Sequence, residues 1–289
     1  MKNRNVSYKY REVEGVNIFY REAGDASKET LVLLHGFPTS SHMYREVLRD
    51  LSDEYHLIAP DYPGFGNSDF PSPDSFQYTF DNIAKLLDLF LESLNLTTYT
   101  LMIQDYGAPI GYRIATAHPE RIKALIVQNG NAYEEGLSEG FADSRKFWQN
   151  RTTETEQPML ALFSLESIKW QYTFGTRNPE NINPDNWNLD YARISRPGND
   201  RAQLDLLHDY QHNITLYPDW QKYLRDNQPP LLITWGKNDP FFPEPGAQAY
   251  LRDVKNVEYH VYDTGHFALE EDSQDITDQI RKFMRRLFP

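Results

Sequence analysis

Asp105, Asp239 and His266 are the residues of this chain whose chemistry and order suggest a reaction centre. Asp105 lies in Ile103-Gln104-Asp105-Tyr106-Gly107, between a strand-like apolar run and a helix-like run. Such a junction reads as a sharp strand–turn–helix elbow with one side chain at its tip. A carboxylate there cannot act as a serine-type nucleophile on ordinary esters and leave cleanly. It can attack an electrophilic sp³ carbon and form an alkyl ester, which water must then cleave. His266, behind Gly265 and after a strand-like run, suits a general base for that water. Asp239, in Gly236-Lys237-Asn238-Asp239-Pro240, follows another apolar run and suits the carboxylate that orients His266.

The elbow needs small neighbours where helix and strand crowd, and Gly107, Ala108 and Gly111 supply them. The backbone N–H of Tyr106, at the start of the following helix, is expected to stabilise an oxyanion there. The second donor is expected to be the N–H of Phe37, in the loop after Leu31-Val32-Leu33-Leu34. Asp105 alone also suits a helix N-cap. Strand, glycines, Asp239 and His266 together favour the catalytic reading.

The elements that would position these residues follow from periodicity. Residues 8–22 read as two strands around Glu14-Gly15. Leu31–Leu34, His56–Pro60, Tyr99–Ile103, Ala124–Val127, Leu231–Trp235 and Val257–Val261 are short apolar runs of strand type. Residues 81–94 carry apolar side chains at helical spacing, and Ala108–Ala117 reads as a helix. Strands alternating with helices predict an α/β fold: a mostly parallel central sheet covered by helices on both faces. Residues 131–225 break the rhythm. They are polar, aromatic-rich and strand-poor, and read as an inserted helical cap. The core is then 1–130 and 226–289, with the site between cap and sheet.

With 289 residues and 39% hydrophobic content the chain can bury one large domain's core. A net charge of −13 repels phosphate backbones and argues against nucleic-acid binding. The absence of cysteine excludes disulfides and thiolate chemistry. No run approaches membrane-spanning length, and the stretch from Met1 to Lys9 lacks the apolar segment of a signal peptide. A cytoplasmic monomer or homodimer, with no membrane partner, is the expectation.

Other motifs point elsewhere. Gly136-Leu137-Ser138-Glu139-Gly140 matches G-x-S-x-G and would suggest a serine esterase, but no strand runs directly into it. His208-Asp209-Tyr210-Gln211-His212 places two imidazoles one helical turn apart without a third ligand cluster nearby, so no metal is expected. Gly64-Phe65-Gly66-Asn67-Ser68-Asp69 begins like a dinucleotide fingerprint but lacks its third glycine. Glu134 and Glu135 are alternative triad acids after the Ala124–Val127 run. Asp239 is preferred because its turn directly follows a strand.

On these residues the chain resembles α/β-hydrolase-fold enzymes of the Asp-nucleophile branch, the haloalkane dehalogenases and epoxide hydrolases, over nearly its whole length. His35-Gly36-Phe37-Pro38 resembles the HGxP loop, Asp61–Asp69 the D-x-x-G-x-G-x-S-D segment, Gln104-Asp105-Tyr106-Gly107 the Q/H-D-W-G elbow, and Gly265-His266-Phe267 the G-H-F/W segment. Two positions depart from the dehalogenase pattern. Tyr106 stands where an indole usually holds the leaving halide, and Phe37 where many dehalogenases place a donor. Gln104-Asp105, Ile103, where serine hydrolases usually have glycine, and the stretch Thr39–Arg45 look closer to dehalogenases.

The resemblance implies a small, apolar or semi-polar electrophilic substrate, a covalent alkyl-enzyme ester and no cofactor. It makes epoxide opening to a diol the first reading and haloalkane hydrolysis the second. A non-catalytic binding module on the same fold is the remaining alternative. In the resembling epoxide hydrolases two cap tyrosines donate to the oxirane oxygen, and Tyr133, Tyr172, Tyr191, Tyr210, Tyr217 and Tyr223 fall in the cap. Tyr191 and Tyr210, with Trp148 and Trp187, are the cap residues expected to hold leaving group or substrate.

Overall fold

The computed structural model describes residues 5–289, so the first four residues of the N-terminal stretch lie outside the described residues. The strands are β1 (Val6–Val13), β2 (Val16–Ala23), β3 (Thr30–Leu34), β4 (His56–Pro60), β5 (Tyr99–Gln104), β6 (Ile122–Gln128), β7 (Leu231–Gly236) and β8 (Val257–Tyr262). They form an eight-stranded sheet in the order β1-β2-β4-β3-β5-β6-β7-β8. The β1–β2 hairpin turns at Glu14 and Gly15, both left-handed (φ 48° and 79°), the geometry whose twist matches a right-twisted hairpin. β2 joins β4 antiparallel, and every neighbouring pair from β4 to β8 is parallel. Every residue of β3, β4, β5 and β7 is buried, which is why those runs are continuously apolar rather than alternating.

Parallel strands deliver their carboxyl ends to one edge of the sheet, where open α/β folds bind ligands. Phe37 follows β3, Asp105 follows β5, Asn129 follows β6, Asp239 follows β7 and His266 follows β8. Residues distant in sequence thus meet because of topology.

Helix α1 (Arg45–Leu51) follows the loop after β3, and α2 (Phe80–Ser93) buries Ile83, Leu87 and Phe90 and is capped by Thr79, whose side chain accepts the Asn82 N–H. Helix α3 (Gly107–Ala117) runs from the elbow and lies directly on β3. A Cβ on Gly107 would stand 2.1 Å from the Leu34 carbonyl oxygen, so only glycine permits this approach.

Between β6 and β7 the chain forms α4 (Ala142–Gln149), α5 (Thr153–Ala161), α6 (Leu165–Thr173), α7 (Pro184–Ile194) and α8 (Asn199–Asn227). Residue 225 falls within α8 rather than at its end. The last turns of that helix pack on the core: Trp220 stacks on Tyr112 of α3, with centroids 5.3 Å apart. After β7, α9 (Glu244–Ala249) precedes β8, and α10 (Ala268–Leu287) closes the chain.

Two contacts seat the helices of 142–194 over the sheet. Glu270 accepts both terminal nitrogens of Arg45 (3.0 and 2.6 Å) and the Asn186 amide of α7 (2.7 Å). Tyr172 of α6 stacks on Phe267, beside His266, at 4.1 Å and donates to buried Asp190 of α7 at 2.6 Å. Burial pushes the Asp190 carboxyl up to about 8, opposed by the Tyr172 and Thr39 hydroxyls. Among the described residues no helix is long and apolar enough to cross a membrane, and no group of three His, Asp or Glu is placed to hold a metal.

The α3–β3 approach is testable by substitution. Gly107→Ala must push the helix off the Leu34 carbonyl, and a loss of about 1–3 kcal/mol in denaturant unfolding is expected for that overpacking.

Candidate active site

Asp105 sits between β5 and α3 with φ +48°. A left-handed non-glycine residue carries strain of order 1–3 kcal/mol, and aspartate tolerates that region better than most side chains. Backbone bonds on both sides hold it: its N–H donates to the Asn129 carbonyl (3.3 Å), and its carbonyl accepts the Ala108 N–H (2.9 Å). The side chain is only 8% exposed. Its Oδ1 accepts the Phe37 N–H at 2.6 Å, and the Tyr106 N–H also bonds the carboxylate. The Phe37 loop comes this close because residue 36 is glycine. A Cβ there would lie 2.3 Å from Asp105 Cβ and 2.4 Å from Gln104 Oε1.

His266 is 1% exposed, with Nε2 3.9 Å from Asp105 Oδ2. Its Nδ1 lies 2.7 Å from Asp239 Oδ2. Asp239 only accepts, so Nδ1 carries the proton and donates. Asp239 is itself held: Oδ1 accepts the N–H groups of Phe241 (2.8 Å) and Phe242 (3.1 Å), and Oδ2 accepts the Asn129 amide (2.8 Å). Asn129 also exchanges bonds with the Gly236 backbone, tying the end of β6 to that of β7. The remaining ring nitrogen of His266 meets the Gln104 side-chain amide at 2.8 Å.

The charges in this pocket are coupled. Burial raises the Asp105 pKa, and the opposing pull of His266 and of the Phe37 and Tyr106 N–H groups leaves it above the usual carboxylate value. Burial also draws His266 down. The Asp239 charge and hydrogen bond, with Asp105 behind them, more than offset this, and His266 ends above its ordinary value.

Above Asp105 lies a cavity of about 150 Å³, between the sheet edge and the helices that follow β6. Its walls are largely apolar: Phe37, Phe141, Met159, Leu162, Leu207 and Phe242 among others. Trp148 and Tyr210 line it, stacked at 5.9 Å. Trp148 contributes a ring only, because its indole N–H is spent on the Leu207 carbonyl at 2.7 Å. Tyr210 is the single member of the six tyrosines named above that faces the cavity, and its hydroxyl interacts with that of Tyr217, which accepts the Asn131 amide at 3.1 Å.

Two expectations for the inserted helices fail. Tyr191 is 37% exposed on the outer side of α7 and lines a separate groove, and Trp187, on the same helix, packs beside Tyr172 and under Lys169. α7 packs on α6 and reaches the core at Glu270, not at the cavity. Tyr106 turns only its ring to the cavity, since its hydroxyl is buried without a partner among aromatic rings.

The alternative motifs are occupied structurally. Ser138 caps a short turn, bonded to Pro240 O and Gly140 N–H. Glu134 and Glu135 are exposed, Glu135 pairing with Arg252. His212 pairs with Asp209 on the surface of α8. The Asp61–Asp69 segment folds on itself, with Asp61 accepting the Ser41 and Asn67 N–H groups at 2.8 Å.

Three polar residues at the site escape a reading of the sequence. Asn129 follows its strand as Asp239 does, and the shared position after a parallel strand is the signal that identifies it. Gln104 is a polar residue closing an apolar strand, a local conflict of the kind that marks a site. Gln171 is 2% exposed on the cavity wall, and its single hydrogen bond, to Leu162 O, is long at 3.5 Å. Nothing in the sequence around Gln171 marks it.

The burial of Asp105 has a consequence for stability. Its folded pKa is raised, so the native state is penalised as pH rises through that value, and the penalty vanishes below the unfolded value of about 3.9. Asp105→Asn keeps an acceptor for the Phe37 N–H and suits a positive φ. It is expected to raise the melting temperature at neutral pH, with the gain fading as pH falls toward 4 in calorimetry.

Against this geometry, comparisons with known proteins are consistent. The family model described as the α/β-hydrolase fold matches residues 29–273. An uncharacterized hydrolase of Saccharomyces cerevisiae is 41% identical over 277 residues, covering 94% of this chain and 95% of its own length. Epoxide hydrolase 2 of Caenorhabditis elegans is 25% identical, covering 97% of this chain and 81% of its own. The solved structure of haloalkane dehalogenase DbeA from Bradyrhizobium elkani has the same fold, with a TM-score of 0.80 over 98% of this chain and 99% of that one at 19% identity. The chain is an α/β-hydrolase and belongs to the α/β-hydrolase fold family.

Proposed function

We propose that this protein hydrolyses a small apolar electrophile, with an epoxide as first choice, through a covalent ester on Asp105. The observation that carries the reading is the 3.9 Å gap between Asp105 Oδ2 and His266 Nε2 beneath a largely apolar cavity. A serine-type site would have a hydroxyl at the elbow. Here a buried carboxylate occupies it, with a base set back far enough for a water molecule.

In the first step Asp105 Oδ2 attacks a ring carbon in line. The carbon–oxygen bond of the epoxide breaks, and its electron pair stays on the oxygen. Tyr210 donates a proton to that oxygen; an alkoxide is far more basic than a phenolate, so the transfer is downhill even from a buried phenol. In the second step water attacks Asp105 Cγ while His266 Nε2 takes one of its protons. The Phe37 and Tyr106 N–H groups hold the oxyanion. Collapse expels the second alkoxide, which recovers the proton from His266. The other proton of the water restores Tyr210, and the product is a diol.

Alkylation also prepares the base. Esterified Asp105 carries no charge, so one of the two carboxylates that raise the His266 pKa disappears as the base is needed. The cavity sets the size of the substrate: an apolar void of about 150 Å³ accommodates a molecule of roughly benzene size. Gln171 is the wall amide with an N–H to spare for a substrate oxygen. Haloalkane hydrolysis is the second reading, favoured by one observation. A departing halide needs no proton, and one tyrosine of the cap set rather than a pair faces the cavity.

Adduct trapping tests the ester. His266→Gln, incubated with small epoxides and haloalkanes, should gain the substrate mass on the Asp105 peptide in mass spectrometry. A broad panel that leaves no adduct sinks the reading. Tyr210→Phe should lose about 10²-fold or more in epoxide turnover, the usual weight of a general acid, and little in haloalkane turnover. The pH profile follows from the coupled charges. The acid limb of ester hydrolysis in single turnover should lie below the His266 midpoint of the resting enzyme, because Asp105 is neutral in the ester.

A further inference from the structure

Gln104 fills a fully buried position at the end of β5, where its neighbours Leu101, Met102 and Ile103 are apolar. Its one hydrogen bond among the described residues runs to His266 Nε2, at 2.8 Å, and its Oε1 is buried without a partner. A large polar group left half-satisfied in a core is unfavourable, and such conflicts collect at sites.

We propose that Gln104 is a positioning residue whose side-chain amide donates to His266 Nε2 and holds the imidazole in the neutral, Nδ1-protonated form. The inference rests on the reading that His266 is the base. Asp239 can only accept, so it takes the Nδ1 proton. Nε2 of the neutral ring then carries a lone pair, which the Gln104 amide holds in the resting enzyme and releases when a water takes its place at Nε2. In the imidazolium both ring nitrogens donate, and the amide N–H has no place.

The charged groups facing His266 are Asp239, from the loop after β7, and Asp105, from the elbow. Both favour the imidazolium. The rings of Phe241, Phe242 and Phe267 pack around it. Gln104 is therefore the hydrogen-bonding group that opposes the two carboxylates, in addition to burial itself. Gln104 and Asp105 are consecutive, so one strand end sets both the nucleophile and the partner of the base. Gly36 makes room for the pair, since a Cβ there would strike both side chains.

Nitrogen-15 NMR of the imidazole, titrated without substrate, reads this directly, with His266→Gln assigning the resonances. Gln104→Met keeps the length and removes the donor. The His266 midpoint should rise by about half a pH unit or more, as expected when a bond to the neutral form is lost. Gln104→Glu offers an acceptor instead and should raise it further. A midpoint that stays or falls in Gln104→Met overturns the proposal. Should that variant fail to fold, Gln104→Glu decides alone: an unchanged or lowered midpoint overturns it equally. The titration needs no turnover, so its failure leaves the ester on Asp105 standing. Absence of an adduct in His266→Gln would remove the ester without touching the titration.

Discussion

A carboxylate held out of water at the strained end of a central strand is the constraint on which the site depends. At φ +48° the Asp105 side chain is lifted from the plane of β5 toward the cavity. That posture needs the helix that follows to start at once, and α3 then rests on the Leu34 carbonyl over Gly107. It needs a donor for Oδ1, and the Phe37 N–H arrives from the next strand over a second glycine. The sheet order places β3 and β6 on either side of β5, so both backbone neighbours of the elbow come from the strands that flank it. Strain at one residue is tolerable because three strand ends over-determine it.

Electrostatics follow from the same burial. A buried, largely apolar pocket raises the cost of the Asp105 charge and strengthens each interaction with it. Asp105 and Asp239 both pull His266 toward protonation, whereas a base must be neutral to work. The proposed mechanism meets this conflict in two ways: the Gln104 amide would favour the neutral ring in the resting state, and esterification would cancel one carboxylate in the intermediate. Asn129 and the two N–H groups at Phe241 and Phe242 hold Asp239 in place and leave its Oδ2 directed at the ring.

What the sequence made legible divides along the same line. Runs buried on both faces read as strands because no alternation is required of them, and the elbow announced itself through glycines at a strand–helix junction. Asp239 and His266 were legible for the same reason: each follows a strand. The residues of the inserted helices were not. Tyr191 and Trp187 have the right chemistry and the wrong helix face, and nothing local records how α7 lies over α6. Gln171 was invisible for the converse reason, since a glutamine in a polar helix carries no mark of burial until the helix is packed. The 225 boundary reflects a similar limit: α8 is one continuous helix whose final turns serve the core through Trp220.

The wall of the cavity then bears on which bond breaks. A halide leaving into an apolar space needs N–H donors to replace its hydration. Here the indole of Trp148 is committed to Leu207 O, and Phe37 and Tyr106 offer rings. An epoxide oxygen makes a different demand, for one acidic hydrogen rather than a cage of donors. In the proposed mechanism the Tyr210 hydroxyl turns from Tyr217, which accepts its hydrogen bond in the resting structure, to meet that demand with a group that can also take a proton back. Gln171 adds a neutral donor without acidity. The balance between the readings thus rests on donor chemistry, because the elbow, base and acid would serve either substrate unchanged.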